Sequence, residues 1–221
     1  MRAAGSSYYP ICVDVRGRRC VVVGGGAVAE RKVRTLLDYG ARVRVISPTL
    51  RAGLKQLVRA RRVTWAPRRY RHCDVQDARL VYGATDDPAT NRAVFRDARR
   101  HRVLVNIVDQ PRLSSFIAPA QVRRGHLVLA VSTGGTSPTL AKRIRRQLER
   151  QFGREYASLT RLMERLRPLV RRRVTQPARR AAIFKQVTSG DVLPLLRRGE
   201  TARAWRAAMR LIEHSGRRTK A

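Results

Sequence analysis

The sequence predicts an α/β protein that combines a mostly parallel β-sheet with a small all-helical C-terminal domain. Three observations lead to this prediction. Strand-like and helix-like segments alternate regularly up to residue 108, the first strand runs directly into three consecutive glycines, and the chain beyond residue 151 is helical and rich in arginine. Regular alternation of strands and helices is typical of parallel sheets that carry helices on both faces.

The first strand-helix-strand unit is the clearest local signal. Arg19–Val23 is a short β-branched run that ends at Gly24, as a buried parallel strand does before a tight turn. Apolar residues then recur at helical spacing between residues 28 and 39, and Gly40 stands where a helix C-cap is expected. Arg42–Ile46 supplies a second strand. This arrangement predicts a Rossmann-type crossover unit.

The alternation continues and then changes character. We predict helices over residues 49–60 and 88–101, strands over 62–65, 79–84 and 103–108, a loop from 111 to 119, a strand over 126–132 and a helix over 138–152. In the helical region beyond, breaks are expected at Pro168, Pro177, Gly190, Gly199 and Gly216. These boundaries predict a Rossmann domain over residues 1–112, a central segment over 113–150 and a helical domain over 151–221.

The glycine run matches a dinucleotide-binding pattern, G-x-G-x-x-A, at a strand-to-helix junction. Its first glycine allows the tight turn, its second lets the backbone approach a pyrophosphate, and its small third residue permits close packing of the helix on the strand. The candidate cofactor ligands are therefore Gly24, Gly26, Ala27, Val28 and Ala29. Ser47-Pro48-Thr49 stands where an acid usually holds the ribose hydroxyls, so the motif leaves NAD and NADP both open.

Three groups of polar side chains stand at the ends of predicted strands, and each has two interpretations. Asp109 is either a functional carboxylate at the ligand-binding edge of the sheet or a turn residue before Pro111. Thr85 and Asp86 share that ambiguity. Residues 132–138 form either an anion cradle or an ordinary helix cap. In a cradle, the candidate substrate ligands are Ser132, Thr133, Gly134 and Thr136.

Net charge, cysteine content and hydropathy indicate which classes of protein are compatible with this sequence. The net charge of +34 suggests a nucleic-acid or other polyanionic partner, but the arginines are spread along the chain and no nucleic-acid-binding motif accompanies them. The three cysteines are scattered, and no apolar stretch is long enough for a membrane helix, so we expect a cytoplasmic protein without membrane contact. The four histidines show no metal-ligand spacing, so we expect no metal site.

Five blocks of sequence, read in order, resemble the precorrin-2 dehydrogenase/sirohydrochlorin ferrochelatase family, the N-terminal module of siroheme synthase. The resemblance covers residues 8 to about 175. The blocks are Val21–Lys32, Ala84–Asp87 with Asn91, Asn106–Asp109, Ser115–Pro119 and Ala130–Pro138.

This resemblance implies an activity and a set of site residues. The activity is NAD-dependent oxidation of precorrin-2 to sirohydrochlorin, with insertion of ferrous iron as a second step in many members. The family's catalytic aspartate falls on Asp109. Its cofactor contacts fall on the glycine turn with Ala27 and Val28 and on Pro48 and Thr49, with Thr85 and Asp86 as weaker candidates. A serine common in the family is replaced by Thr133.

The resemblance also implies partners. Family members are homodimers, so we expect residues 113–150 to form a central dimerisation segment that pairs with a second chain. The chain is too short for the methyltransferase module of some members, so we expect precorrin-2 to be supplied by another enzyme. Two alternatives stay open at this point. One is a dehydrogenase without chelatase activity, and the other is an NAD-sensing nucleic-acid-binding protein.

Overall fold

The computed structural model describes residues 8–217, and the side chains of residues 8–214. The chain forms two compact units. The first extends to residue 118 and the second begins at residue 119. Each unit has a hydrophobic core of its own.

The first unit is a five-stranded parallel sheet with helices on both faces. The strand order is β3-β2-β1-β4-β5, so the direction of winding reverses between β1 and β4. This order is that of a Rossmann fold, which confirms the predicted fold class. The strands are β1 (Arg19–Val23), β2 (Arg42–Ile46), β3 (Val63–Ala66), β4 (Leu80–Gly83) and β5 (Leu104–Ile107), and the helices are α1 (Ala27–Asp38), α2 (Ala52–Arg59) and α3 (Pro88–Arg100).

Strand β1 lies at the centre of the sheet and is buried on both faces. Cys20 and Val22 pack with α1 and α2 on one face, whereas Val21 and Val23 pack with α3 on the other. Successive side chains of a strand point to opposite faces, so an unbroken apolar run is what a strand covered on both sides requires. Burial of β1 therefore fixes the position of the glycines that follow it.

The second unit joins a β-hairpin to a group of helices. The hairpin strands are β6 (Ala120–Arg124) and β7 (Leu127–Val131), which pair antiparallel. The helices are α4 (Pro138–Gln151), α5 (Glu155–Arg173), α6 (Pro177–Ser189), α7 (Val192–Arg197) and α8 (Thr201–Arg217). Helices α5 to α8 share one core, to which Leu166, Ile183 and Ile212 contribute fully buried side chains. The small helical C-terminal domain is thus confirmed.

Three details of the predicted elements were wrong. No strand was predicted at β6, which follows the expected loop of residues 111–119, although Gly125 and its φ of +62° allow the tight turn that pairs β6 with β7. No break occurs at Pro168, which lies exposed inside α5, or at Gly216, which lies inside α8. Leu166 and Val170 are completely buried on either side of Pro168, so their packing outweighs the local preference of proline.

In the described part of the chain, no helix combines the length and the apolar character that crossing a membrane requires.

Candidate functional site

The first two glycines of the turn after β1 are required by the protein's own packing. Gly24 has a φ of +125°, and a Cβ on it would lie 2.1 Å from the carbonyl oxygen of Ala84. A Cβ on Gly25 would lie 1.9 Å from the carbonyl oxygen of Thr49. Both obstacles are backbone atoms, which cannot move aside as a side-chain end does. The turn is therefore pressed between the ends of β4 and β2, where the sheet's winding reverses.

Gly26 differs from its two neighbours because nothing in the protein requires it to be glycine. Its φ is −84°, and a Cβ built on it would meet no atom within 4 Å. It is the N-cap of α1, and no side chain caps that helix. The first amides of a helix have no partner inside it, and they attract anions. The space above Gly26 and these amides fits the pyrophosphate of a dinucleotide.

Ala27, Val28 and Ala29 form the first turn of α1. The small side chain of Ala29 is fully buried, which lets the helix approach the sheet closely. Ala27 also lines a cavity of about 620 Å³ between α1 and α2. Arg31 and Arg34 of α1 and Arg51, the N-cap of α2, also line that cavity. The structure thus gives the predicted cofactor residues of α1 two roles, packing at Ala29 and an open surface at Ala27.

The segment after β2 lies against the glycine turn. The Gly24 amide donates to the Ile46 carbonyl at 2.9 Å, and the Arg51 amide donates to the Gly25 carbonyl at 2.9 Å. Pro48 and Thr49, the predicted cofactor contacts of this segment, lie exposed between those two bonds. No acidic side chain follows β2 before Arg51, so the ribose end of the site carries none of the usual negative charge there.

Thr85 and Asp86 follow the end of β4 beside the same turn. The Ala84 amide donates to the Val23 carbonyl at 2.7 Å, which joins this end of β4 to the end of β1. The Thr85 hydroxyl accepts from the Asp87 amide at 3.2 Å, and the Asp87 carboxylate caps α3. Thr85 therefore has a structural role in the helix cap, whereas Asp86 lies exposed.

Asp109 lies two residues beyond β5, in a tight turn closed by a hydrogen bond of 3.1 Å from the Gln110 amide to the Ile107 carbonyl. Its side chain is exposed and its φ is +58°, a left-handed value that Asp and Asn adopt more readily than most residues. The Ser114 hydroxyl donates to the Gln110 carbonyl at 3.1 Å and so fixes the far side of the turn. The carboxylate is held at the carboxyl edge of the sheet.

The chain after this turn runs back along β5 and binds its outer edge. The Ser115 amide donates to the Val105 carbonyl at 2.7 Å, and the Val105 amide donates to the Ser115 hydroxyl at 2.9 Å. The Ile107 amide donates to the Ser114 hydroxyl at 3.0 Å. These bonds hold both ends of the Asp109 turn to the same strand. We refer to residues 114–116 as the serine return.

Sequence reasoning assigned no role to Lys32, which the structure places beside these residues. Its Nζ lies 4.8 Å from the centroid of the Tyr82 ring, and Asp109 acts on its charge. Burial lowers the pKa of the Lys32 ammonium, the neighbouring Arg31 lowers it further, and Asp109 opposes both. One signal was present in the sequence. Lysine supplies only five of the 49 cationic side chains, and one of them stands three residues after the motif.

The predicted cradle lies in the second unit, between β7 and α4. The Ser132 hydroxyl accepts from the Gly134 amide at 3.1 Å, and the Thr133 hydroxyl accepts from the Ser137 amide at 3.1 Å. The Thr136 hydroxyl donates to the Thr133 carbonyl at 2.6 Å. Each hydroxyl is thus engaged once inside the loop. The hydrogens of Ser132 and Thr133 stay available to an outside acceptor.

Three histidines of the described chain lie within hydrogen-bond distance of a carboxylate or a backbone carbonyl. His72 Nδ1 lies 2.8 Å from the Asp97 carboxylate, and His126 Nε2 lies 3.2 Å from the Glu164 carboxylate. His214 Nδ1 lies 2.8 Å from the Arg210 carbonyl. Between residues 8 and 217, no group of three or more His, Cys, Asp or Glu side chains is arranged to hold a metal ion.

Comparison with protein families places three matches end to end along the chain. Residues 11–120 match a family described as putative NAD(P)-binding. Residues 124–151 match the sirohaem biosynthesis protein central family, and residues 155–212 match the sirohaem synthase dimerisation region. The first match contains the glycine turn and Asp109, and the second contains the loop from Ser132 to Thr136.

Individual relatives agree with these matches. The siroheme synthase of Azotobacter vinelandii is 39% identical over 199 residues, which is 90% of this chain and 43% of the relative. The siroheme synthase of Methylococcus capsulatus is 36% identical over 213 residues, 96% of this chain and 45% of the relative. The chain therefore spans less than half the length of these relatives.

A solved structure extends the likeness to the fold as a whole. SirC, a precorrin-2 dehydrogenase, superposes with a TM-score of 0.74 and is 26% identical, and the match covers 94% of this chain and all of that one. Sequence families, relatives and fold agree over both units. The chain therefore belongs to the precorrin-2 dehydrogenase and siroheme synthase family, in the part of it that carries the NAD(P)-binding, central and dimerisation regions.

Proposed function

We propose that this protein oxidises precorrin-2 to sirohydrochlorin with NAD as the hydride acceptor. One observation carries the proposal. The glycine turn at the end of β1 and Asp109 at the end of β5 lie on the same carboxyl edge of one parallel sheet. Two strand spacings separate β1 from β5, roughly 10 Å. A dinucleotide on the turn and a macrocycle beside Asp109 are thus within reach of each other. The likeness to SirC, named as a precorrin-2 dehydrogenase, supports the same reaction.

The residues of the site divide the work. The amides of Ala27, Val28 and Ala29, with the open space over Gly26, bind the pyrophosphate of NAD. Pro48 and Thr49 contact the ribose end, and Thr85 and Asp86 line the path towards the nicotinamide. When bound, the nicotinamide supplies the hydride acceptor.

Asp109 acts as the general base of the oxidation. Loss of a hydride from the substrate leaves a proton to be removed, and a carboxylate oxygen of Asp109 accepts it. The turn that holds Asp109 is fixed by Ser114, so the carboxylate needs little reorganisation to reach the macrocycle. In the second unit, the Ser132 and Thr133 hydroxyls contribute hydrogen-bond donors for carboxylates of the substrate. Gly134 and Thr136 donate inside the loop and hold these hydroxyls in place.

We extend the proposal to insertion of ferrous iron, which would give siroheme. Iron is a substrate in this step. Asp109 would accept the protons that the metal displaces from the pyrrole nitrogens, so one carboxylate serves both reactions in turn.

The working form in this proposal is a homodimer paired through the central segment, residues 113–150. Two observations support it. Strand β7 is apolar along its whole length, yet none of its five residues is buried. Helices α4 and α5 contact the hairpin, but Val128 and Ala130 of β7 stay exposed, so a second copy is the natural cover. The match of residues 155–212 to a dimerisation region also supports a dimer, and it adds the helices beyond the central segment to the pairing surface. The proposed domains are 1–112, 113–150 and 151–221.

We place the reaction in the cytoplasm. Cys12, Cys20 and Cys73 are all free thiols, and Cys12 and Cys73 are exposed. Free exposed thiols persist in a reducing compartment.

The dehydrogenase proposal is tested by incubating the protein with precorrin-2 and NAD and following NADH and the sirohydrochlorin spectrum. Asp109→Asn is the informative variant because asparagine tolerates the positive φ and removes only the charge. We expect kcat to fall about 100-fold or more while the Kd for NAD is unchanged.

Asp77→Asn is the matched control. Asp77 is also exposed with a φ of +60°, but it precedes β4 and so lies at the amino edge of the sheet. Its variant should keep full activity. Undiminished turnover by Asp109→Asn would overturn the role of Asp109, and absence of NADH formation by the unaltered protein would overturn the function.

Iron insertion needs a separate assay. The protein is given sirohydrochlorin and ferrous or cobaltous ion without NAD, and metal insertion is followed by absorbance. We expect insertion in the unaltered protein and none in Asp109→Asn. An unchanged spectrum with the unaltered protein would leave a dehydrogenase without chelatase activity.

A further inference from the structure

Lys32 carries a charge that neither the fold nor the cofactor site uses. It lies in the second turn of α1, on the side of the helix that faces β4. Its Nζ stands 4.8 Å from the centroid of the Tyr82 ring, and Tyr82 is a buried residue of β4. Burial, with a smaller contribution from Cys20, raises the pKa of Tyr82 to about 12, so the ring is neutral. The ammonium therefore rests on an uncharged aromatic face.

This ammonium has no carboxylate partner of its own. None of the ion pairs found within residues 8–214 includes Lys32. It is partly buried, and its burial lowers its pKa because the charge has lost water without gaining an ion pair. A lysine ammonium has three N–H donors, and an aromatic face satisfies them only in part. A carboxylate of a bound ligand would accept hydrogen bonds from these N–H donors and would form the missing ion pair with the ammonium.

The location of the ammonium identifies that carboxylate. Tyr82 pairs in register with Asn106 of β5, and the Asn106 amide group donates to the Phe116 carbonyl at 3.0 Å. The Tyr82 and Phe116 rings meet edge to face at 5.6 Å. Lys32 thus lies beside the ring of Tyr82, which in turn contacts the ring of Phe116. Both rings are close to β5, the strand that leads to Asp109. Its charge and that of Asp109 act on each other, although the two do not form an ion pair.

We propose that Lys32 binds one carboxylate of the tetrapyrrole substrate and holds the macrocycle against the partly exposed Phe116, beside Asp109. The inference rests on the proposed function, because it assigns the substrate of that same site. It makes Lys32 a positioning residue. The anchored side chain of the substrate fixes which edge of the ring meets Asp109, and the proton moves to Asp109 alone.

The test compares three variants in binding and in turnover. Lys32→Met removes the charge but keeps an unbranched chain over Tyr82, and Lys32→Arg keeps the charge. Lys55→Met removes a charge from an exposed position of α2 and serves as the matched control. Binding is measured by fluorescence with uroporphyrin, a stable polycarboxylate tetrapyrrole, so this readout does not depend on catalysis. The Kd for NAD and the Tm of each variant are measured alongside.

We expect Lys32→Met to weaken uroporphyrin binding about tenfold or more, the scale of a hydrogen bond to a charged group. KM for precorrin-2 should rise by a similar factor, while the Kd for NAD stays constant. Lys32→Arg should recover most of the affinity, and Lys55→Met should match the unaltered protein.

Equal uroporphyrin affinity in Lys32→Met and Lys55→Met would overturn the inference and leave Lys32 a packing residue. So would parallel losses of Tm and NAD affinity with no specific loss for the tetrapyrrole. Failure of the unaltered protein to bind uroporphyrin would also overturn it. If the unaltered protein binds uroporphyrin but does not oxidise precorrin-2, the proposed function fails while the comparison of variants still decides the role of Lys32.

Discussion

Two glycine-rich turns lead from a strand into a helix in this protein, and they are built in opposite ways. In the turn after β1, Cβ atoms on Gly24 and Gly25 would meet backbone at 2.1 and 1.9 Å. In the turn after β7, Gly134 and Gly135 have φ values of +64° and +92°, but Cβ atoms there would meet nothing within 4 Å. Gly24 and Gly25 are required because neighbouring backbone leaves no room for a side chain. Gly134 and Gly135 are favoured only because their φ values are positive.

The two helices that follow also differ. Helix α1 has Gly26 at its N-cap and no capping side chain, whereas α4 is capped by Ser137, which accepts from the Leu140 amide at 3.3 Å. A helix that lacks a cap has amides to offer a ligand, and a capped helix has satisfied some of them. The comparison shows that similar glycine-rich sequences can lead into a helix N-terminus that is left uncapped or into one that is capped. The difference is visible in the packing around each glycine.

The largest expected effect is on stability, at Gly24. Gly24→Ala combines a positive φ with a backbone clash, so we expect the free energy of unfolding to fall by about 3 kcal/mol or more. Gly134→Ala has the positive φ without the clash and should cost about 1 kcal/mol. Urea denaturation of both variants measures the difference. Equal losses would show that crowding does not distinguish the two turns.

The next effect is on cofactor binding, at Gly26. Gly26→Asp places bulk and negative charge where the pyrophosphate binds, so the Kd for NAD should rise about 100-fold or more. The fold should survive, since the added side chain meets no protein atom, and an N-cap aspartate should raise stability by up to about 1 kcal/mol. Calorimetric titration measures the expected loss of NAD affinity, and urea denaturation measures the expected gain in stability.

Gly26→Asn separates the two causes. Asparagine is an equally good N-cap of similar size without the charge. We expect it to bind NAD more tightly than Gly26→Asp and less tightly than the unaltered protein. An NAD affinity that neither variant changes would place the cofactor elsewhere.

A smaller effect is expected from the cap of α4. Ser137→Ala removes the only side chain that caps this described helix and should cost about 1 kcal/mol of stability. Thr139→Ala, a hydroxyl deletion at an exposed position two residues along, should change stability by less than about 0.5 kcal/mol. Chemical denaturation that ranks Thr139→Ala as the more damaging variant would contradict the assignment of the cap.

The smallest effect tests whether the second turn also contacts substrate. Thr133→Val removes the hydroxyl whose hydrogen we assign to a substrate carboxylate, so KM for precorrin-2 should rise about fivefold, the value of one hydrogen bond. Thr133→Ser keeps the hydroxyl and should leave KM unchanged. A KM that is the same in both variants would make the turn purely structural.

Local sequence predicted the elements whose signals are contiguous. Strands β1 and β2 were predicted with their observed bounds because each is a short β-branched run ended by a turn signal. Strand β6 was missed because only Val122 is buried in it and two of its five residues are arginines. Its pairing with β7 depends on tertiary packing more than on its own pattern.

The site divides in the same way. The glycine turn and the position of Asp109 could be predicted from the sequence. The glycine motif lies within one continuous segment, and so does the strand end that precedes Asp109. The requirement for Gly25 and the environment of Lys32 could not be predicted, because they depend on Thr49, in the segment after β2, and on Tyr82 of β4. Such contacts form between segments that are distant in sequence. The spacing of residues within one segment cannot predict them.

The serine return has a consequence beyond holding Asp109. Strand β5 is the last of its sheet, and an unpaired outer strand is a template on which further strands can add. Ser114 and Ser115 occupy the outward backbone groups of Val105 and Ile107 and so close that template. The loop that holds Asp109 is therefore also a guard against aggregation. Loss of either serine would endanger solubility together with activity.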